Sequence, residues 1–187
     1  KKLVEDLDVR VVGSVAFGAK YQSWPNPQGD AAKGPNVTFE RIAFGLVGRY
    51  RGFVVNTDYR IYGKYGTLHH AYIGYRHKDV FEIDAGVHRV PFGILDYPSH
   101  NWFETIPYYL GLADDYDFGV KATIRKGGLN LQFGYYAQAE PPQFGSTSNS
   151  ARYSYDIVRT DSTELNLGTS SPQTNEERHG GVARVAY

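Results

Sequence analysis

The chain has 187 residues, and its 20 Lys and Arg are cancelled by 20 Asp and Glu, so no overall charge draws it to nucleic acid. Cys and Met are both absent, which excludes a disulfide framework, a cysteine-based zinc knuckle and a thiol nucleophile. Aromatics reach 15% while the mean hydropathy is only −0.46, and no apolar run approaches the roughly 18 residues of a membrane helix; a membrane helix is excluded, a membrane strand is not. A sequence that starts at Lys1 and lacks Met fits a mature chain whose leader has been removed.

The apolar period is two along most of the chain, the signature of strands with unlike faces. Val9, Val11, Val15, Phe17 and Tyr21 alternate with Arg10, Ser14 and Lys20. Ile42, Phe44, Leu46 and Tyr50 alternate with Arg41 and Arg49, then Phe53, Val55 and Ile61 with Asn56, Asp58 and Arg60. Ala71, Ile73 and Tyr75 oppose His70, Tyr72 and Arg76, and Phe81, Ile83 and Val87 oppose Glu82, Asp84 and His88. After an irregular stretch, Phe118, Val120 and Ile124 oppose Asp117, Lys121 and Arg125. Leu129, Leu131 and Phe133 then oppose Asn130 and Gln132, and Val185 and Tyr187 oppose Arg184. This predicts eight strands, no helix and an all-β domain over 1–187.

Tight turns are expected at Arg51-Gly52, His77-Lys78-Asp79 and Lys126-Gly127. The other connections are a Pro/Gly/Asn-rich loop near Trp24–Asn36, a Lys64–Thr67 link, the irregular stretch, and a long polar loop at 140–180 expected to be extracellular. Short turns at one end and long loops at the other, with Tyr50, Phe53, Tyr75 and Phe81 banded at the first and Tyr21, Trp24 and Tyr65 at the second, predict an antiparallel transmembrane β-barrel rather than a soluble sandwich. The inward face then carries Arg10, Lys20, Arg41, Arg49, Arg60, Lys64, Arg76, Lys121, Arg125 and Arg184 against only Asp58, Glu82, Asp84 and Asp117. Cross-strand ion pairs are one use of such a face, and a positive wall along a water-filled pore is the other.

The irregular stretch "PFGILDYPSHNWFETIPYYLGLADDYDFG" holds Asp96, Glu104, Asp114 and Asp115 between Val90 and Tyr116, with no Lys or Arg. Folded inward, residues 91–115 would set carboxylates against the arginines and narrow the pore. With its flanks, from Val90 to Ile124, the stretch resembles Gram-negative outer-membrane porins, most closely the substrate-selective, phosphate-type or DcaP-like kind. The resemblance implies a passive, anion-leaning channel for small hydrophilic solutes in the bacterial outer membrane. It also implies a homotrimer, contact with the lipid bilayer and lipopolysaccharide, and no cofactor, metal or catalysis. It places the eyelet between Asp96, Glu104, Asp114 and Asp115 and the facing Arg41, Arg49, Arg60 and Arg76, with Arg125, Asp58, Glu82 and Asp84 also lining the pore. Such porins are expected to have about sixteen strands, so the eight strands are read as the N-terminal half of a barrel with an inward-folded constriction loop. A closed eight-stranded outer-membrane barrel of structural or adhesive role, and a soluble all-β ligand-binding domain, are the alternatives.

Other motifs carry less. His69 and His70 are adjacent, so on a regular strand they face opposite ways and cannot share a metal. Asp114, Asp115 and Asp117 offer oxygens for Ca²⁺ but lack the glycine turn and later Glu of an EF-hand. Glu82 and Asp84 share a face, where pairing with Arg60 or Arg76 suits them better than acid–base catalysis. The Gly63–Thr67 segment lacks the spacing of a phosphate loop, and Asn36-Val37-Thr38 is a sequon without use in a bacterium.

Overall fold

A computed structural model describes residues 6–21, 36–63, 65–93, 106, 110–112, 114–140 and 177–187. They form eight strands: β1 (Leu7–Lys20), β2 (Asn36–Tyr50), β3 (Phe53–Tyr62), β4 (Gly66–His77), β5 (Phe81–Arg89), β6 (Tyr116–Lys126), β7 (Leu129–Ala139) and β8 (Arg178–Ala186). They make one antiparallel sheet in chain order, each strand paired with its sequence neighbours. The sheet is open, since β1 and β8 are its edges and do not pair with each other. The strands run further than the alternation alone indicates: β2 starts at Asn36, β4 at Gly66 and β8 at Arg178.

Turn chemistry sets the register. Arg51 (φ 46°) and Gly52 (φ 87°) have the two left-handed residues of a mirror-image hairpin turn, whose twist matches that of the strands it joins. Tyr50 and Phe53 are therefore direct partners. Gly127 (φ 57°) and Gly128 (φ 86°) make the same turn between β6 and β7, one residue beyond the expected Lys126-Gly127. Lys78 and Asp79 also take positive φ, and His77 pairs with Phe81 across them.

Because each hairpin keeps parity, the apolar residues form continuous rows across strands. One row runs Val55, Ile73, Ala85, Val120, Tyr135, and another runs Phe53, Tyr75, Ile83, Ala122, Phe133, Ala183. The first members of the second row meet edge to face, with the Phe53 and Tyr75 rings 5.2 Å apart. The opposite face carries rows such as Glu82, Thr123, Gln132, Arg184.

Burial is inverted relative to a soluble protein. The apolar face is open, with Ile73 63% and Val11 83% exposed, while polar-face Asp84, His88 and Thr123 are 1–2% exposed. Among the described residues, only a small cluster of Val87 and Tyr116, with Leu68 packed on it, resembles an ordinary core. The polar face is crowded because large side chains lie over glycines. A Cβ on Gly134 would come within 2.6 Å of the Tyr136 ring, and one on Gly119 would run into the Tyr135 carbonyl oxygen.

Candidate functional site

The polar face is built from ion pairs that tie neighbouring strands. Glu82 on β5 bridges Arg76 on β4 and Arg125 on β6, each at 2.9 Å, so one carboxylate offsets two guanidinium groups. Asp84, two residues along, faces Lys121 at 3.9 Å. Within β3, Arg60 holds Asp58 at 3.1 Å, because residues two apart project from the same face. Thus Glu82 pairs with Arg76 as expected, while Asp84 takes Lys121. Of the arginines expected at the eyelet, Arg60 has the strand carboxylate Asp58 as a partner and Arg76 has Glu82. Arg41 and Arg49 have no carboxylate within ion-pair distance among the described residues.

Asp96 and Glu104 lie outside the described residues, as does Lys64. Asp114 is bound by Arg89, with 2.7 Å between Nη2 and Oδ1, and the same guanidinium donates to the Tyr116 hydroxyl at 2.9 and 3.1 Å. Arg89 has apolar-face parity, which is why alternation failed to mark it. Asp114 adopts a left-handed backbone (φ 56°), a conformation Asp tolerates better than most residues. Asp115 and Asp117 are buried, and the Asp115 carbonyl accepts from the Val90 amide at 2.9 Å. The 91–115 stretch thus leaves β5 and re-enters β6 through one clasp. Its first residues turn over the polar face: Arg184 on β8 donates to the Gly93 carbonyl at 2.8 Å. Phe92, Leu112, Tyr136 and Val182 line a cavity of about 60 Å³ beneath it.

His69 and His70 depart from the expectation of opposite faces. The register of β3 and β4 slips at Asp58, which pairs with His70, whereas Tyr59 pairs with Leu68. His69 is the extra residue of a β-bulge, and a bulge re-aims its side chain. Both rings therefore lie on the polar face, with their Nδ1 atoms 2.8 Å apart and His69 Nδ1 3.5 Å from Asp58 Oδ2. The Asn56 amide accepts from His70 Nε2 at 3.2 Å and donates to the Tyr72 hydroxyl at 3.1 Å. Beyond the Ala71–Val87 pair, β4 and β5 part, and the Tyr116 ring packs 4.1 Å from that of His69. Further along, Tyr136 donates to the Arg89 carbonyl at 3.1 Å, and His88, packed edge to face on it, donates to the Gly119 carbonyl at 3.3 Å.

The sequence does carry a signal for this bulge. Apolar parity changes from even at Leu68 to odd at Ala71 and Ile73, as an inserted residue requires. The same change, from Val37 and Phe39 to Ile42 and Phe44, marks the slip in β2, where Ala16 pairs with Arg41 but Phe17 with Phe39. No protein-family model, no curated protein and no solved structure matches the chain.

Proposed function

We propose that this chain forms part of an outer-membrane β-barrel porin, a passive channel for small hydrophilic solutes with a leaning toward anions. The observation that carries the reading is the inversion of faces: apolar side chains cover the open face of the sheet and charged ones its crowded face. Apolar surface of that extent is stable against lipid and costs about 25 cal/mol per Å² against water. The open sheet points the same way. Unpaired edges at β1 and β8 cannot be left in hydrocarbon, so further strands would complete a barrel of about sixteen. That geometry suits a pore better than a closed eight-stranded barrel, whose lumen side chains fill. Arg41 and Arg49 supply the anion preference, because the other strand arginines near them already have carboxylates. Lipopolysaccharide contact and a trimer belong to the same reading.

The test is planar-bilayer recording of the tag-free protein together with the strands that complete its barrel, extracted in detergent. Stable conductance steps are expected, with a reversal potential under a salt gradient that indicates anion preference. The double variant Arg41→Ser, Arg49→Ser should shift that potential toward cations. A chain that remains monomeric in water without detergent and gives no conductance steps would sink the reading.

A further inference from the structure

We propose that Asp58, His69 and His70 form a binding site for a divalent transition-metal ion of the nickel, copper and zinc group. The three residues come from neighbouring strands, and one atom from each lies within 4.8 Å of the others. Two imidazoles and a carboxylate form a donor set that such ions favour over Mg²⁺ or Ca²⁺, which take oxygen alone. For ligands at about 2.0–2.2 Å around a tetrahedral ion, donor atoms stand roughly 3.3 Å apart. The separations here, 2.8 Å between the two Nδ1 atoms and 3.5 Å from His69 Nδ1 to Asp58 Oδ2, bracket that value.

The hydrogen bonds around the site prepare it. Asn56 gives its amide N–H to Tyr72, so its carbonyl oxygen is the atom facing His70 Nε2. A carbonyl only accepts, so His70 carries its proton on Nε2 and presents a lone pair at Nδ1. A ligating histidine whose other nitrogen donates to a carbonyl or carboxylate is held in this way at known metal centres. In the metal-free protein His69 donates from Nδ1 to His70 Nδ1; to ligate through Nδ1, His69 takes its other neutral tautomer, with the proton on Nε2, which leaves both Nδ1 lone pairs to the ion. Asp58 retains acceptor capacity, because its Oδ1 is buried with no hydrogen-bond partner among the described residues. Arg60, 3.1 Å from Asp58 Oδ2, opposes a second cation and limits the affinity, so it should tighten binding when removed. Burial supports a built site rather than a surface coincidence: His69 is 3% exposed, and the bulge is what brings it to the polar face.

The test needs only the folded, tag-free chain in detergent and is independent of whether it conducts. Calorimetric titration with Zn²⁺ should show one saturable site. His70→Gln and Asp58→Asn should each weaken it at least tenfold, and Asn56→Ala, which removes the orienting acceptor, by about 10–100-fold. Arg60→Gln should strengthen it, and His77→Gln, at an exposed histidine on the far end of β4, should change nothing. For a readout that needs no variant, one equivalent of Cu²⁺ in the unaltered chain should give a paramagnetic resonance spectrum with superhyperfine lines from two imidazole nitrogens. Absence of saturable Zn²⁺ binding, binding unaffected by His70→Gln and Asp58→Asn, or a copper spectrum with fewer than two nitrogens would each overturn the proposal.

Discussion

Ile73→Arg separates a lipid-facing sheet from a soluble one. Ile73 is 63% exposed on the apolar face, between Val55 and Ala85, so an arginine there meets no steric obstacle. In a soluble protein such a change is worth within about 0.5 kcal/mol. In a barrel its cost depends on depth. Four residues separate Ile73 from the end of β4 at His77, which at about 3.4 Å per residue is roughly 14 Å of strand. With a tilt of about 40° this becomes roughly 10 Å along the membrane normal, close to the middle of an apolar band about 25 Å tall. An arginine at that depth costs about 2–4 kcal/mol, and one near the interface about 0–1 kcal/mol.

Urea unfolding of the chain in phospholipid vesicles measures the difference, with Ile73→Ala as the reference for lost side-chain contact. Phe53→Arg, beside the β2–β3 turn, serves as the interfacial control. Ile73→Arg is expected to lose about 2–4 kcal/mol more than Ile73→Ala, and Phe53→Arg at most about 1 kcal/mol relative to Phe53→Ala. Equal small losses at both positions would refute the assignment of the open face to lipid.

Glu82→Gln leaves Arg76 and Arg125 without their shared counter-charge; because both guanidinium groups are partly exposed, the expected loss is about 1–3 kcal/mol rather than the larger penalty of a dry pair. Urea unfolding checks it, and a loss below about 0.5 kcal/mol would show that water already screens the bridge. Gly119→Ala forces a methyl group into the Tyr135 carbonyl and is expected to cost about 1–3 kcal/mol in the same assay. Gly48→Ala is the control, with its nearest neighbour, Val55 Cβ, at an ordinary 3.8 Å. Equal effects at the two glycines would contradict the close packing over the polar face.

Strand order, turn positions and the two faces were legible because alternation of period two and turn residues are local signals. Parity carried through Arg51-Gly52 and Lys78-Asp79 places Tyr50, Phe53, Tyr75 and Phe81 on one face, as found. Pairing of charges was less legible, since it depends on which residues stand opposite each other in three strands at once. Glu82 reaches Arg76 and Arg125 through two registers, and no spacing along one strand encodes that. Arg89 was hidden differently: its parity is apolar, but where β4 and β5 part it turns to Tyr116 and Asp114. The histidine pair departs from alternation because the even parity of Leu68 gives way to odd parity at Ala71, with the bulge between them.

Backbone contacts bear on the path of the 91–115 stretch more than its charges do. Gly93 lies four residues beyond the end of β5, yet its carbonyl is held by Arg184 on β8, three strands away. Three strand spacings are about 14 Å, a distance a short segment and an arginine side chain span together only if the chain crosses over β6 and β7. Arg184 and Val182 share the face of Lys121 and Gln132, so the crossing is on the polar side. The return is tied to the end of β5 by Arg89 on Asp114 and by the Val90–Asp115 backbone bond. Of the described residues of the stretch, Gly93 is thus tied to β8 and Asp114 and Asp115 to the end of β5. On the porin reading, the Arg184–Gly93 tether holds the start of the stretch on the lumen side. The strand arginines Arg60 and Arg76 have Asp58 and Glu82 as partners, whereas Arg41 and Arg49 have no carboxylate within ion-pair distance among the described residues.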